Sequence, residues 1–419
     1  MRPMAEPAPE AGPSAHPSPA EPASEERRRH LARYLGSTSS WFGGWGMQQV
    51  LFPWLVVSVL GASAQTTGIT QMSVLLSNLA LLLVGAAVAD RVEPRRMLVG
   101  LHLGTVFPVG LLLLAVVGGW LSLPVLVACG VMIGATSAFN VPARDSLLTQ
   151  VAGGDVGQTV TRVTLVQFSS QAVGMAIAGA GRWLGTPAAI FTQLLVLTGG
   201  ALFARGLPSR PPREAAVSER LTLREMTAGI RIVWGSELRP VLLLVTGVGL
   251  FFMGCYHVVF PLLVRDLYDD TVLQLALLMG MFPVGTILGS LVLLQRGGIR
   301  RKGRALAMAL AGGALFLVVG GLGLPYPGMV LTTFGWGLCG AVFMNMSRTL
   351  FQERAPEKER ARVLAANQLG FLGAAPLGSL LAGYAVATFG VSESLFVLGL
   401  AMWILVTSVV LTTDVTRMR

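Results

Sequence analysis

The sequence predicts an all-α integral membrane protein, built as twelve transmembrane helices in two parallel, pseudo-symmetric halves of six. Three observations carry that reading. Only 12% of the 419 residues are charged and the mean hydropathy is +0.67, whereas soluble globular chains carry roughly 25% charged residues. Apolar runs of about 20 residues, the length at which an α-helix crosses a bilayer, occur twelve times. Finally, eleven residues of the first run, Gly46-Met47-Gln48-Gln49-Val50-Leu51-Phe52-Pro53-Trp54-Leu55-Val56, return 208 positions later as Gly254-Cys255-Tyr256-His257-Val258-Val259-Phe260-Pro261-Leu262-Leu263-Val264, six of them identical.

The runs lie near residues 35–60, 67–89, 97–118, 121–143, 160–181 and 185–204 in the first half, and 240–264, 272–294, 305–323, 327–347, 363–388 and 392–412 in the second. Residues 1–30 are rich in Pro, Ala, Ser and Glu and lack the apolar core of a signal peptide, so they read as a disordered tail. Residues 31–206 form the first bundle, 207–238 a linker, 239–413 the second bundle and 414–419 a short tail. Within the linker, Pro208-Ser209-Arg210-Pro211-Pro212-Arg213 precedes Thr222-Leu223-Arg224-Glu225, which has capping-box spacing. Leu223, Met226, Ile230 and Val233 then share a helical face opposite Arg224 and Arg231, predicting an amphipathic helix at the membrane surface.

Basic residues test this map independently, because Lys and Arg crowd cytoplasmic loops. Of 31 Lys and Arg, 29 fall in the two tails and the even-numbered connections, and only Arg182 and Arg265 lie on the other side. Both termini are therefore expected in the cytoplasm, with the protein multi-pass in a bacterial inner membrane. The net charge of +10 follows from this topology and implies no nucleic-acid partner. The expected partners are the lipid bilayer and a small molecule, with the chain acting as a monomer. Further landmarks recur between the halves: Asn140-Val141-Pro142-Ala143-Arg144 with Asn345-Met346-Ser347-Arg348, and Arg95-Arg96 with Arg300-Arg301-Lys302. An even number of helices per half makes the units parallel, a transporter-like arrangement with its binding site near the bilayer midplane.

A buried carboxylate is the usual proton carrier inside a membrane, yet none of the 21 Asp and Glu lies near the centre of an apolar run. Proton coupling would then need a histidine within a run or a carboxylate at a cavity mouth. His257 is central in the seventh run, beside Tyr256 and in register with Gln48 and Gln49 of the first, and imidazole changes charge between about pH 5 and 8. His102 in the third run is the lesser candidate. Asn78, Gln167, Gln171 and Asn367 join them as polar residues of helices expected to ring a wet cavity, while the ninth and twelfth runs are almost wholly apolar. The same residues would also serve as hydrogen-bonded glue between helices. Pro53 and Pro261 occupy matched positions and predict paired kinks or hinges.

Enzymatic and cofactor signatures are lacking. Neither Lys302 nor Lys358 precedes Ser or Thr, so no Walker A loop is present. The histidines and the three cysteines, Cys129, Cys255 and Cys339, are scattered without metal-site spacing. No enzyme, cofactor, metal or disulfide framework is expected, and a proton gradient is the expected driving force.

From about residue 30 to 413 the chain resembles the major facilitator superfamily, and within it the drug:proton antiporter and transmembrane secretion effector branch that includes enterobactin exporters. Ala86-Ala87-Val88-Ala89-Asp90-Arg91 with Arg95-Arg96 resembles the superfamily's loop motif between the second and third helices, whose acid and bases form a conformational latch. Phe139-Asn140-Val141-Pro142-Ala143-Arg144 resembles the branch signature, and Pro53-Trp54-Leu55-Val56 with Ser63-Ala64 its first hairpin. Ala86 replaces the motif's leading glycine, Pro94 stands in place of a basic residue, the antiporters' intramembrane arginine is missing, and Gly174-Met175 replaces a Gly-Pro pair. The resemblance implies a secondary transporter exporting small amphipathic organic molecules such as a drug, siderophore or natural product. In it, Gln48, Gln49, Tyr256 and His257 would line the site, and Asp90, Arg91, Arg95, Arg96, Asn140 and Arg144 would form the gate. The rival readings are an importer or facilitator of a small solute on the same scaffold, and a transport-inactive membrane scaffold or sensor.

Overall fold

The computed structural model describes residues 20–89, 92–151, 156–209, 223–295, 299–356 and 359–418, and the described residues contain helices and turns but no strand. Twelve principal helices follow the apolar runs. Helix 1 is Ala20–Trp54, helix 2 Ala64–Ala89, helix 3 Pro94–Val117, helix 5 Val156–Gly179 and helix 6 Thr186–Arg205, while helix 4 is Leu123–Ser137 followed after a break by Asn140–Val151. Helix 7 covers Arg239–Leu267, helix 8 Val272–Gln295, helix 9 Lys302–Gly320, helix 10 Tyr326–Arg354, helix 11 Arg360–Phe389 and helix 12 Val391–Thr412. Ten of them, helices 3 to 12, are long and apolar enough to cross a membrane. Helices 1 and 2 complete the two sets of six, packing on helices 5 and 6 and on helices 4 and 11 respectively.

Helix 1 begins at Ala20, so residues 20–30 are helical and the expected disordered tail to residue 30 is corrected. The Ala, Glu and Arg that made this stretch look like a tail are also strong helix formers, and they continue the helix that the apolar run requires.

At the end of the bundle away from the basic loops, each connection turns through one left-handed residue. These are Gly61, Gly119, Gly185, Gly323 and Gly390, with Asp270 (φ 44°) as the single non-glycine among the described residues. Glycine meets this conformation without a steric penalty. Asp270 does not, and its position between helices 7 and 8 acquires a role below.

Lipid offers helices no hydrophobic gain on association, so small residues that let backbones approach dominate such contacts. Here the repeated glycine of the sequence finds its reason. A Cβ added at Gly46 would lie 2.2 Å from the Gln171 carbonyl oxygen of helix 5, and one at Gly174 would lie 2.0 Å from the Gly43 oxygen. In the second half a Cβ added at Gly254 would lie 2.3 Å from the Gly378 oxygen of helix 11, and one at Gly378 2.4 Å from the Gly249 oxygen. Gly46 and Gly254 thus hold equivalent crossings, helix 1 on 5 and helix 7 on 11.

The matched prolines do not produce matched bends. Helix 1 widens into a π-turn at Leu55–Val59, after Pro53, whereas helix 7 has two, Val248–Phe252 and Cys255–Val259, both before Pro261. In the second of these the Phe260 N–H reaches back to the Cys255 carbonyl, an accommodation for Pro261, which has no N–H to offer. The expected symmetric pair of hinges is therefore replaced by different backbones around the same sequence element.

The linker helix is Leu223–Trp234, and Thr222 of the expected capping box lies outside the described residues. It belongs with the second half. A Cβ at Gly229 would meet the Arg362 carbonyl oxygen of helix 11 at 2.2 Å. Arg354 binds both carboxylate oxygens of Glu237, at 2.7 and 2.8 Å, and the Arg239 guanidinium lies 4.6 Å from the centre of the Trp234 ring.

The glycine crossing makes a sharp stability prediction. Gly46→Ala places a methyl group against a backbone oxygen and should cost about 1–3 kcal/mol or more, the usual range for overpacking, seen as a lower melting temperature in detergent. Gly100→Ala, with nothing within 4 Å of the added Cβ, should melt like the wild type.

Candidate functional site

The two halves touch through helices 2 and 11, helices 5 and 8, and the ends of helices 1 and 7. The glycine contacts among these lie in the part of the bundle remote from the basic loops. Gly68 of helix 2 packs on Ser379 and Gly383 of helix 11, and Gly179 of helix 5 packs on Leu273 and Ala276 of helix 8. Two polar contacts close the seam. Ser58 Oγ donates to Asp270 Oδ1 at 2.7 Å, and the Arg265 guanidinium donates to the Ala62 carbonyl at 2.8 Å while also pairing with Asp266. Sequence reading placed Asp270 and Arg265 only as loop residues, because their partners are 212 and 203 positions away.

At the basic end the ionic contacts between described residues stay within one half. Glu93 pairs with Arg96 at 2.9 Å and lies 3.7 Å from Arg95, whose guanidinium also reaches the Leu207 carbonyl. In the second half Lys302 pairs with Glu353. Arg95 and Arg96 of the expected latch are thus engaged inside their own half, and Asp90 and Arg91 lie outside the described residues. Asn140 is buried at the start of the second segment of helix 4. The Arg144 guanidinium stacks 4.7 Å from the centre of the Phe42 ring, and its carbonyl accepts from the Tyr34 hydroxyl.

Between these ends, adjacent glutamines part company. Successive residues on a helix differ in direction by about 100°, since 3.6 residues make a turn. Gln48 turns inward to helix 6, where Gln193 Nε2 donates to its side-chain oxygen at 2.8 Å and to the Gly44 carbonyl at 3.1 Å. Both side chains are buried, so Gln48 takes part in the packing of helix 1 on helix 6. Gln49 is partly exposed and accepts from Gln171 Nε2 of helix 5 at 3.0 Å. Gln167 lies about one turn before Gln171, also partly exposed. Asn78 donates to the Gly134 carbonyl of helix 4 at 3.3 Å, and Asn367 Oδ1 is buried with no hydrogen-bond partner.

Tyr256 and His257 also diverge. The Tyr256 hydroxyl donates to the Met279 carbonyl at 2.8 Å, and its ring joins Phe260, Phe282 and Trp336 in an aromatic cluster. The hydroxyl approaches Met175 Sδ of the first half at 3.9 Å, so Tyr256 is a packed floor where the halves meet, with its hydrogen bond already spent. His257 Nδ1 lies 3.1 Å from the Met253 carbonyl. An oxygen acceptor fixes Nδ1 as the donor, which leaves Nε2 with the lone pair in the neutral ring. His102 is held in the core of the first half by Ser37 at 3.1 Å and by the edge of Trp41.

The sequence reading missed Gln193, the buried partner that decides the fate of Gln48. Its signal was available: it is the sole Gln, Asn or His in the apolar run 185–204.

Residues 35–374 match the family model of the Major Facilitator Superfamily. No curated protein matches the chain in sequence. Among solved structures, a variant of the nucleoside transporter NupG superposes with a TM-score of 0.75 at 12% identity, covering 91% of this chain and 99% of that one. A proton dependent oligopeptide transporter gives 0.70 at 13%, covering 93% and 99%. The human organic anion transporter MFSD10 gives 0.63 at 16%, covering 91% and 99%. At such identities the likeness is one of fold.

The two amide pairs should behave differently when broken. Gln193→Leu strands a buried oxygen on Gln48 and should cost about 1–3 kcal/mol of stability, whereas Gln171→Leu, at a partly exposed pair, should shift the melting temperature little. Thermal unfolding of both variants in one detergent checks the contrast.

Proposed function

The chain belongs to the major facilitator superfamily, whose fold is that of secondary transporters, and from that premise we propose that it exports small amphipathic organic molecules across the bacterial cytoplasmic membrane by alternating access. The single observation that carries the mechanism is the one-sided seam. Polar and glycine contacts join the halves at the end remote from the basic loops. With basic loops on the cytoplasmic side, such a seam is what a state shut to the outside would have. Export is the direction favoured by the likeness of the Asn140–Arg144 segment and first hairpin to the drug and siderophore exporter branch.

In this reading the cargo site lies between helices 1, 5, 7 and 11, with the Gln49–Gln171 pair as its polar wall and the Tyr256 cluster as its floor. Gln48 acts from behind, holding helix 1 to helix 6. Asp90, Arg91, Arg95, Arg96, Asn140 and Arg144 belong to the cytoplasmic gate in this reading, with Arg95 and Arg96 engaging Glu93 and the Leu207 carbonyl of their own half. His257 is the coupling candidate. Its Nε2 is the free basic site of a ring tied by Nδ1 to its own helix, and protonation there would add a charge between the halves.

Two measurements test the proposal. Everted vesicles containing the protein should accumulate a transported drug or dye faster than right-side-out vesicles, and the reverse ranking would make it an importer. In the same vesicles Ser58→Cys with Asp270→Cys should be joined by a short thiol crosslinker, stopping transport until the link is cleaved. Coupling is checked separately: His257→Ala should lose most pH-gradient-driven efflux while still binding cargo, and full efflux in that variant removes His257 from the scheme.

A further inference from the structure

We infer that the cargo is an amphipathic organic anion and that the cavity discriminates against organic cations of the same shape. The inference deepens the transporter reading and rests on it. Its first ground is a charge inventory. None of the 21 carboxylates lies in the interior of a membrane-crossing run. Among the described residues at the basic end, Glu93 is engaged by Arg95 and Arg96, Glu353 by Lys302 and Glu237 by Arg354, while Glu359, at the start of helix 11, has no ion pair. A cation entering the space between the halves would leave water without a carboxylate to replace it, and an uncompensated charge in a medium of low polarity is strongly disfavoured.

The second ground is what the cavity offers instead. In the Gln171-to-Gln49 hydrogen bond one amide N–H and one carbonyl are used, and the Gln49 NH₂ and the Gln171 oxygen carry no further hydrogen bond and are not sealed from access. Both amides can rotate to present N–H groups to an oxyanion, and neither can supply the negative charge a cation needs. At the basic end each half sets an arginine at its recurring landmark, Arg144 stacked on Phe42 and Arg348 exposed and without an ion pair among the described residues. An excess of one sign of charge around a cleft concentrates ligands of the other. Arginine at such loops also follows from topology alone, so the discriminating feature is their combination with a carboxylate-free interior.

The driving force agrees. A monoanion leaving a cell that is negative inside moves down the membrane potential, and 100 mV acting on one charge is worth roughly a 50-fold concentration ratio. An exporter of anions gains from that potential directly, whereas an exporter of cations must work against it and needs a carboxylate to exchange charge.

The test uses the purified full-length protein in liposomes under an imposed potassium diffusion potential, with fluorescein as the anionic probe and rhodamine 123 as the cationic one, since both share a xanthene body. The wild type should move fluorescein at least ten times faster than empty liposomes and leave rhodamine 123 at the background rate. Gln49→Glu should reverse that ranking, and Gln171→Glu, made in case the first variant folds poorly, should do the same. Rhodamine 123 moving as fast as fluorescein in the wild type overturns the inference, as does an unchanged ranking in well-folded Glu variants. If neither dye moves and neither shifts the melting temperature, it is the transporter reading that fails.

Discussion

Backbone-to-backbone contact at glycine is the constraint on which the rest of the structure depends. In lipid the helices gain nothing from hiding apolar surface, so their association rests on close packing and on whatever polar contacts closeness permits. Gly43, Gly46 and Gly174 bring helix 1 onto helix 5, and Gly249, Gly254 and Gly378 bring helix 7 onto helix 11. Helices 5 and 11 are also the ones that meet the opposite half, through Gly179 on helix 8 and through Ser379 and Gly383 on helix 2. Each therefore ties one half to the other, and in the proposed alternating-access cycle the seams they form would serve as axes for rocking. The Gln49–Gln171 hydrogen bond exists because Gly46 lets helix 1 approach the Gln171 backbone; a side chain there would separate the two amides.

Much of the fold was legible in the sequence because the bilayer restricts the alternatives. Run length, basic-loop asymmetry and the 208-residue repeat each report a constraint that acts on the chain in one dimension. The helix limits follow the apolar runs closely, and the repeat's glycine has the same job in both halves. The site was less legible for a geometric reason. Gln48 and Gln49 are neighbours in sequence but point about 100° apart, and which one meets helix 6 and which helix 5 depends on the rotation of helix 1. Reading that rotation requires Gln193 and Gln171, residues 145 and 122 positions away. The gate at Ser58 and Asp270 is hidden for the same reason, and the unmatched π-turns show that six shared residues do not fix a backbone when their neighbours differ.

The polar residues divide into two kinds with different physical purposes. The Gln48–Gln193 pair is buried, and Gln193 also serves the Gly44 carbonyl. Such satisfied networks fix one packing arrangement and tolerate little change. The Gln49–Gln171 pair is partly exposed and satisfied on one side only, and in the proposed function it is the wall that meets cargo. A transporter needs both: half-bundles stiff enough to move as bodies, and a wall between them whose hydrogen bonds are completed by cargo or water.

Asp270 shows where this economy is suspended. Five outer turns use glycine for their left-handed residue, and the sixth uses an aspartate with φ 44°. Asp tolerates that conformation better than most side chains but less well than glycine, and the backbone alone would favour glycine there as in its five counterparts. What aspartate adds is a carboxylate that accepts from Ser58 across the seam. The strain is local, whereas the hydrogen bond joins the two halves and in the proposed cycle would be lost when the outside opens. The residue therefore accepts a constant conformational cost in exchange for a contact that depends on state. In the proposed export cycle a contact of that kind would bias the equilibrium between inward-open and outward-open forms, at the end where cargo leaves. The modest size of one such hydrogen bond, about 1 kcal/mol net for a neutral pair and more for a charged acceptor, suits a gate that has to open in every cycle.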